Sequence, residues 1–191
     1  PPCPNPPEPA RTRSTRQFDA DNLPLPRAAR IAAGHWPDLT INQALDAAVE
    51  RGADRVALSA RRFDSGEDRR FTYGELSKMV DRMAIGLHRL GVRAADVVAV
   101  QLPNWWEFTV SYLACARIGA VMNPLMHIFR ERELTFMLNH GEAAVAIIPT
   151  TFRGHDFAAM YRGLRPDVPS LGHVVAVGDP GPAGFDALLA G

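Results

Sequence analysis

Apolar residues in this chain recur with two different spacings, which alternate from about residue 40 onwards. Apolar residues three or four positions apart predict amphipathic helices, whereas short apolar or alternating runs predict strands. The predicted helices cover 41–51, 73–90, 105–118, 130–139, 155–164 and 185–190. The predicted strands cover 55–60, 69–73, 97–102, 120–123, 143–149 and 173–178.

The order of these elements predicts the fold class. The run Val97–Leu102 is largely apolar, which is typical of a strand covered on both faces in a parallel sheet. Strands that alternate with helices of about 10 to 18 residues form right-handed βαβ units. We therefore expect an α/β fold with a mostly parallel sheet flanked by helices. The strands at 55–60 and 69–73, joined by the loop 64–68, are expected to form a hairpin instead.

Three helix starts carry residues suited to capping. Thr40 precedes the first helix, and Thr72 with Glu75 has the spacing of a capping box, in which the hydroxyl and the carboxylate each accept from a free backbone N–H. Asn104 is predicted to cap the helix that begins at Trp105.

Length and composition limit the domain organisation. With 191 residues the chain is long enough for one sizeable core. Residues 1–35 are rich in proline and arginine and are expected to form a tail or extended segment, so order should begin near Trp36. Residues 36–191 are expected to form one α/β unit, which the family resemblance described below implies to be an incomplete subdomain. The formal net charge of zero argues against a nucleic-acid partner.

Cysteine content and hydropathy suggest a compartment. Cys3 and Cys115 are the only cysteines, and their contexts argue against a disulfide framework. No run reaches the roughly 18 apolar residues of a membrane span, and the opening lacks the apolar segment of a signal peptide. We therefore expect a cytoplasmic protein without a transmembrane segment.

Several chemical signatures are absent from the sequence. Neither G-x-G-x-x-G nor G-x-x-x-x-G-K-[ST] occurs, and the glycines near 178–184 are interrupted by Pro180 and Pro182, which indicates a surface loop. No histidine pair has metal-binding spacing, so no metal site is predicted, and there is no G-x-S-x-G nucleophile elbow. Trp105 and Trp106 are interpreted as core anchors rather than a ligand platform.

Three linked stretches resemble the acyl-adenylate-forming (AMP-binding) superfamily. Phe71–Leu76 resembles its first core motif, L-[TS]-Y-x-E-L. Gly91–Asn104, followed by Glu107-Phe108, resembles G-V-x-x-G-D-x-V-A-x-x-x-P-N-x-x-E-F, and Ala114–Pro124 resembles the second core motif. Their order and separation also match. The stretch Asn123–Leu134 is most similar to fatty-acid–CoA and cyclohexanecarboxylate–CoA ligases.

The resemblance implies an amino-terminal subdomain of an acyl-CoA synthetase. Such enzymes use ATP and Mg²⁺ to activate a carboxylic acid and then transfer the acyl group to CoA. The family's phosphate loop, its Mg²⁺ motif and its two functional lysines have no counterpart here, and the sole lysine, Lys78, lies in a helix at the first motif. Phosphoryl chemistry depends on such cations. No catalytic residue is therefore assigned, and the isolated chain is expected to be inactive and to bind none of these cofactors tightly.

Two other interpretations remain open. The chain is alternatively a naturally truncated, non-catalytic module that binds an acyl ligand or a partner. A flavodoxin-like binding module would need a cofactor loop after the first parallel strand, where Leu102–Trp105 offers one N–H fewer and bulky side chains. The reading frame downstream of residue 191 distinguishes the first alternative from the enzyme.

The resemblance also suggests contacts for CoA. Related short-chain synthetases hold its nucleotide end against the loop after the second core motif and the loop after the next strand. Here those loops carry His127, Arg153 and His155, of which Arg153 is suited to clamp a phosphate. Phe129, Phe136 and Trp106 lack an assigned core partner. They are predicted to lie on an exposed apolar face that supports packing or self-association.

Overall fold

The computed structural model describes residues 27–63 and 65–190. The helices are α1 (Arg27–Ala32), α2 (Ile41–Gly52), α3 (Tyr73–Arg89), α4 (Trp106–Ile118), α5 (Glu131–His140), α6 (Phe157–Leu164) and α7 (Phe185–Ala190), with a 3₁₀ turn at Arg165–Asp167. The strands are β1 (Val56–Arg61), β2 (Asp68–Thr72), β3 (Val97–Val100), β4 (Val121–Pro124), β5 (Ala143–Pro149), β6 (Thr151–Phe152), β7 (His155–Asp156) and β8 (His173–Val177).

A four-stranded parallel sheet with the order β4-β3-β5-β8 forms the centre of the domain. The predicted α/β fold is therefore confirmed. Strands β1 and β2 form the predicted antiparallel hairpin outside this sheet. No described helix is long and apolar enough to cross a membrane.

Side chains alternate between the two faces of the sheet, and each face has its own core. Val98 and Val100 pack with helices α2, α3, α4 and α7, whereas Val97 and Ala99 pack with α5 and α6. Because successive strand residues point to opposite faces, four consecutive buried valine and alanine residues can serve both cores. The apolar run at the first parallel strand has the burial that its composition predicts.

Three helix starts differ from the sequence prediction. Helix α5 begins at Glu131, with Arg130 as its N-cap. Helix α4 begins at Trp106, and its N-cap residue is Trp105, which makes no side-chain capping bond. Asn104 does not cap it, because the Trp105 N–H bonds to the Pro103 carbonyl at 2.7 Å and the chain stays extended for one more residue. Helix α6 begins at Phe157 rather than at residue 155, since residues 151–156 first form the hairpin β6–β7 and Asp156 then caps the helix.

The caps at Thr40 and Thr72 are confirmed, and both form complete capping boxes. The proposed tail at 1–35 falls largely outside the described residues. Within it the structure describes helix α1, which the sequence pattern did not indicate.

The three aromatic residues assigned to an exposed apolar face have different environments. Phe136 is 68% exposed and stacks on His140, with ring centroids 5.5 Å apart. Phe129 is half-buried and packs against the core under α5 and α6. The exposed-face prediction for Trp106 was wrong, and its interpretation as a core anchor is confirmed, because its ring is buried against Phe71 and Phe185 in the core under α3 and α4.

Candidate functional site

The topology places a divergence point at the carboxyl end of β3. The connection from β3 runs through α4 on one face of the sheet, whereas the connections from its neighbours β4 and β5 run through α5 and α6 on the other face. Because crossovers are right-handed, reversing the direction of travel along the sheet moves the next helix to the opposite face. In open α/β sheets, ligands bind in the crevice where the connections diverge. This edge of the sheet is therefore the candidate site.

Aromatic rings from three loops meet at this edge. Trp105, which follows β3, meets Phe152 of β6 with ring centroids 5.7 Å apart and nearly perpendicular planes. His127, which follows β4, meets the same Phe152 at 5.1 Å and 87°. The loops that follow three adjacent strands thus converge on one phenylalanine.

Two guanidinium groups flank these rings. The Arg62 guanidinium lies 3.9 Å from the centroid of the Trp105 ring, and the Arg153 guanidinium lies 5.3 Å from that of Phe152. Both distances are within the range of a cation–π interaction. Arg153 is exposed, so its guanidinium remains accessible to an anion. Arg153 and His127 therefore both contact the ring of Phe152.

The turn that carries Arg153 has an uncommon backbone. Arg153 and Gly154 have φ values of 49° and 76°, and they link β6 to β7 as a two-residue turn. Positive φ at both central residues is the signature of a type I′ hairpin turn, which glycine and asparagine favour. The turn begins four residues after the carboxyl end of β5.

His155 makes its ring contacts with core residues rather than with Trp105 or His127. It pairs with Phe152 in the hairpin, but its ring packs against Phe157 at 4.9 Å and its Nε2 lies 3.4 Å from the Met160 sulfur. Met160 and Phe157 are buried in the core under α6. The three predicted CoA contacts therefore separate into a pair, His127 with Arg153, and a histidine engaged with the core.

A buried ion pair lies directly behind the Trp105 ring. Arg62 Nη2 pairs with Glu107 Oε1, and the two side chains are 17% and 4% exposed, respectively. Burial raises the pKa of the Glu107 carboxyl despite the neighbouring Arg62 and Arg69. The ion pair joins the end of β1 to the first turn of α4. It therefore holds these two elements together next to Trp105. Sequence reasoning placed Glu107 in a family motif but gave no signal for its partner.

Taken with the fold, this arrangement defines an α/β domain whose candidate site lies at the carboxyl edge of a parallel sheet. Residues 45–187 match the family model described as "AMP-binding enzyme". The chain belongs to this family of AMP-binding enzymes, as the sequence motifs predicted.

Individual relatives agree with this assignment. The salicyl-AMP ligase / salicyl-S-ArCP synthetase of Mycobacterium tuberculosis is 36% identical over 164 residues, which are 84% of this chain and 28% of that protein. The medium-chain fatty-acid–CoA ligase of Escherichia coli is 32% identical over 82% of this chain and 27% of its own length. The apo structure of Mycobacterium smegmatis MbtA superposes with a TM-score of 0.67 at 33% identity, covering 80% of this chain and 27% of that one. The chain thus spans about a quarter of the length of these relatives.

Proposed function

We propose that this chain is the amino-terminal part of an ATP-dependent, AMP-forming ligase that activates a carboxylic acid and transfers the acyl group to CoA. The family match over residues 45–187 carries the proposal. ATP with Mg²⁺ supplies the activation by adenylation of the carboxylate, and the residues of this chain form one wall of the acyl and CoA approach. The acid is proposed to be a fatty or alicyclic carboxylate, in keeping with the stretch Asn123–Leu134.

An aromatic acid is the second candidate substrate. It is suggested by the 36% identity to a protein named as a salicyl-AMP ligase. Comparing kcat/KM of the full-length enzyme for fatty, alicyclic and hydroxylated benzoic acids distinguishes the two candidates.

The isolated 191-residue chain is expected to release no pyrophosphate. It contains no glycine-rich phosphate loop, and its one lysine, Lys78, lies on an exposed helix position of α3. Pyrophosphate formation with ATP, Mg²⁺ and a panel of acids should stay at the background without enzyme, while the full-length protein turns over. Turnover by the purified chain that disappears on mutation of one of its own residues would contradict this part of the proposal. A reading frame that stops shortly after residue 191 would instead favour a non-catalytic binding module.

The nucleotide end of CoA is proposed to lie against Phe152, with Arg153 and His127 as its contacts. An exposed guanidinium beside an aromatic ring suits a phosphate, because it donates two parallel hydrogen bonds. His127 lies across the same ring and adds a second polar group. His155, which packs on Phe157 and Met160, is proposed as an additional contact for CoA.

Replacement of Arg153 by alanine is expected to raise the KM for CoA about tenfold in the full-length enzyme, the effect of one charge-assisted hydrogen bond. The rate of the adenylation half-reaction should not change. Arg162→Ala is the matched control, because Arg162 is also exposed but lies in the last turn of α6 rather than in the turn between β6 and β7. Equal damage to both half-reactions, or an unchanged KM for CoA, would remove Arg153 from the site.

A further inference from the structure

A buried glutamine lies at the divergence point of the sheet. Gln101 directly follows β3, and its backbone N–H extends the sheet by bonding to the Ile147 carbonyl at 2.9 Å. Its side chain is fully buried, and it is one of three buried polar residues in the described part of the chain. Sequence reasoning counted Gln101 within an apolar strand. A single amide in such a strand is nevertheless a signal, because a buried amide seldom lacks hydrogen-bond partners, although the Oε1 atom of Gln101 has none among the described residues.

The amide of Gln101 bonds to the loop that follows the neighbouring strand. Nε2 donates to the Met126 carbonyl at 2.9 Å and to the Phe129 carbonyl at 3.2 Å. Both amide hydrogens are therefore used on one loop. The opposite amide orientation would set Oε1 against two carbonyl oxygens, so the hydrogen-bonding pattern fixes the orientation.

A second side chain holds the same loop. Arg130 Nη1 donates to the carbonyls of His127 and Phe129 at 2.9 and 2.8 Å. The carbonyls of residues 126, 127 and 129 are thus all bonded by side chains of the domain. Yet the side chains of Met126 and Ile128 are 56% and 58% exposed. Side chains of the domain therefore hold the backbone of this loop, whereas the side chains of Met126 and Ile128 are exposed to solvent.

We infer that Gln101 is a positioning residue, whose amide fixes the loop 126–129 and thereby sets His127 against Phe152 at the ligand edge. The mechanism needs no contact between Gln101 and a ligand. A loop with three carbonyls bonded in this way has few accessible conformations, so the His127 ring is already oriented before a ligand binds. The inference rests on the proposed function only for the identity of that ligand.

The test uses two substitutions in the 191-residue chain. Gln101→Met keeps the volume and removes both donors, whereas Gln101→Glu places a carboxylate opposite the two carbonyls. Each variant is studied by NMR, with the histidine resonances assigned by substituting each histidine in turn. The first readout is the His127 ring shift, which the nearby Phe152 ring perturbs. The second is the hydrogen-exchange rate of the Phe129 amide, which bonds to the Met126 carbonyl at 3.1 Å.

In both Gln101 variants, the His127 resonances should move towards those of an unstructured histidine, and the Phe129 amide should exchange at least about tenfold faster. His155 serves as a reference in the same spectra, since its contacts lie on Phe157 and Met160. Val110→Ala is the matched control, because Val110 is fully buried in α4 and its loss lowers stability without touching the loop. It should leave the His127 shift unchanged.

Unchanged His127 and Phe129 signals in a folded Gln101→Met chain would overturn the inference, whatever the change in Tm. If Gln101→Glu fails to fold, the Gln101→Met result decides alone. A titration of the wild-type chain with adenosine 3′,5′-bisphosphate separates the two proposals. Absence of any shift at His127 in that titration counts against the CoA contacts, while the effect of Gln101 on the loop is measured without ligand.

Discussion

Replacing Arg62 with methionine is expected to lower the free energy of unfolding by about 3–4 kcal/mol at pH 7, the range for breaking a buried ion pair. The substitution leaves the Glu107 carboxylate, which is 4% exposed, with the weaker attraction of Arg69. It also removes the guanidinium from the face of Trp105. Chemical denaturation monitored by tryptophan fluorescence measures the loss.

Replacing the other partner of the ion pair, by Glu107→Gln, should lower the free energy of unfolding by less, about 1–2 kcal/mol. Arg62 keeps a second carboxylate, because its Nε lies 3.5 Å from Glu67 Oε2, and its side chain is partly exposed to water. The double variant Arg62→Met/Glu107→Met should recover most of the lost stability, since it removes both charges from the interior. A double variant that is less stable than Arg62→Met alone would contradict this account.

The pH dependence of the Arg62→Met loss follows from the Glu107 carboxyl. Burial raises its folded pKa above the ordinary value of 4.5 even with Arg62 present, and removing Arg62 raises it further. A carboxyl with a raised folded pKa destabilises the fold at pH values above that pKa, and this penalty fades as the pH falls through it. The deficit of Arg62→Met relative to the wild type should therefore shrink between pH 7 and about pH 5. A deficit that grows on acidification would exclude Glu107 as its source.

The second large effect is expected at Leu87, which is fully buried on α3 in the core shared with α4 and α7. Leu87→Ala removes buried methyl groups and leaves a cavity, which costs about 3 kcal/mol. Ile85 on the same helix is a matched control, because it is of equal size and 49% exposed. Ile85→Ala should cost less than about 1 kcal/mol. Urea denaturation of both variants at pH 7 measures the two losses.

Similar losses of stability in Leu87→Ala and Ile85→Ala would mean that the outer face of α3 is covered in solution, for example by self-association. Sedimentation at the concentration of the unfolding experiment checks this directly. In the full-length protein, a larger loss for Ile85→Ala than in the isolated chain would place further parts of the polypeptide against this face of α3.

The periodic elements of the fold were predictable, because each has an amphipathic or continuously apolar pattern. Strand β5 was predicted at its observed bounds, and the capping box at Thr72 and Glu75 formed as its spacing requires. The hairpin β6–β7 was not predicted, since its two residues per strand are too few to establish a period. Strand order also escaped prediction, because it depends on contacts between elements rather than on any local pattern.

The candidate site was predictable only in part. The position of Arg153 after a parallel strand indicated the ligand edge, and the structure places it with His127 across Phe152. Phe152 itself carried no signal, since an aromatic residue in a loop has many structural uses. The roles of Glu107 and Gln101 depend on partners 45 and at least 25 positions away, respectively, and such pairings are not visible in one sequence.

The left-handed backbone at Arg153, with φ of 49°, costs an arginine on the order of 1 kcal/mol relative to glycine. Asparagine also tolerates this conformation well. A screen of position 153 for heat resistance alone is therefore expected to enrich glycine and asparagine. Every variant enriched in this way would lack the guanidinium next to Phe152. Selection for thermal tolerance and selection for the anionic ligand proposed here would drive this one residue in opposite directions.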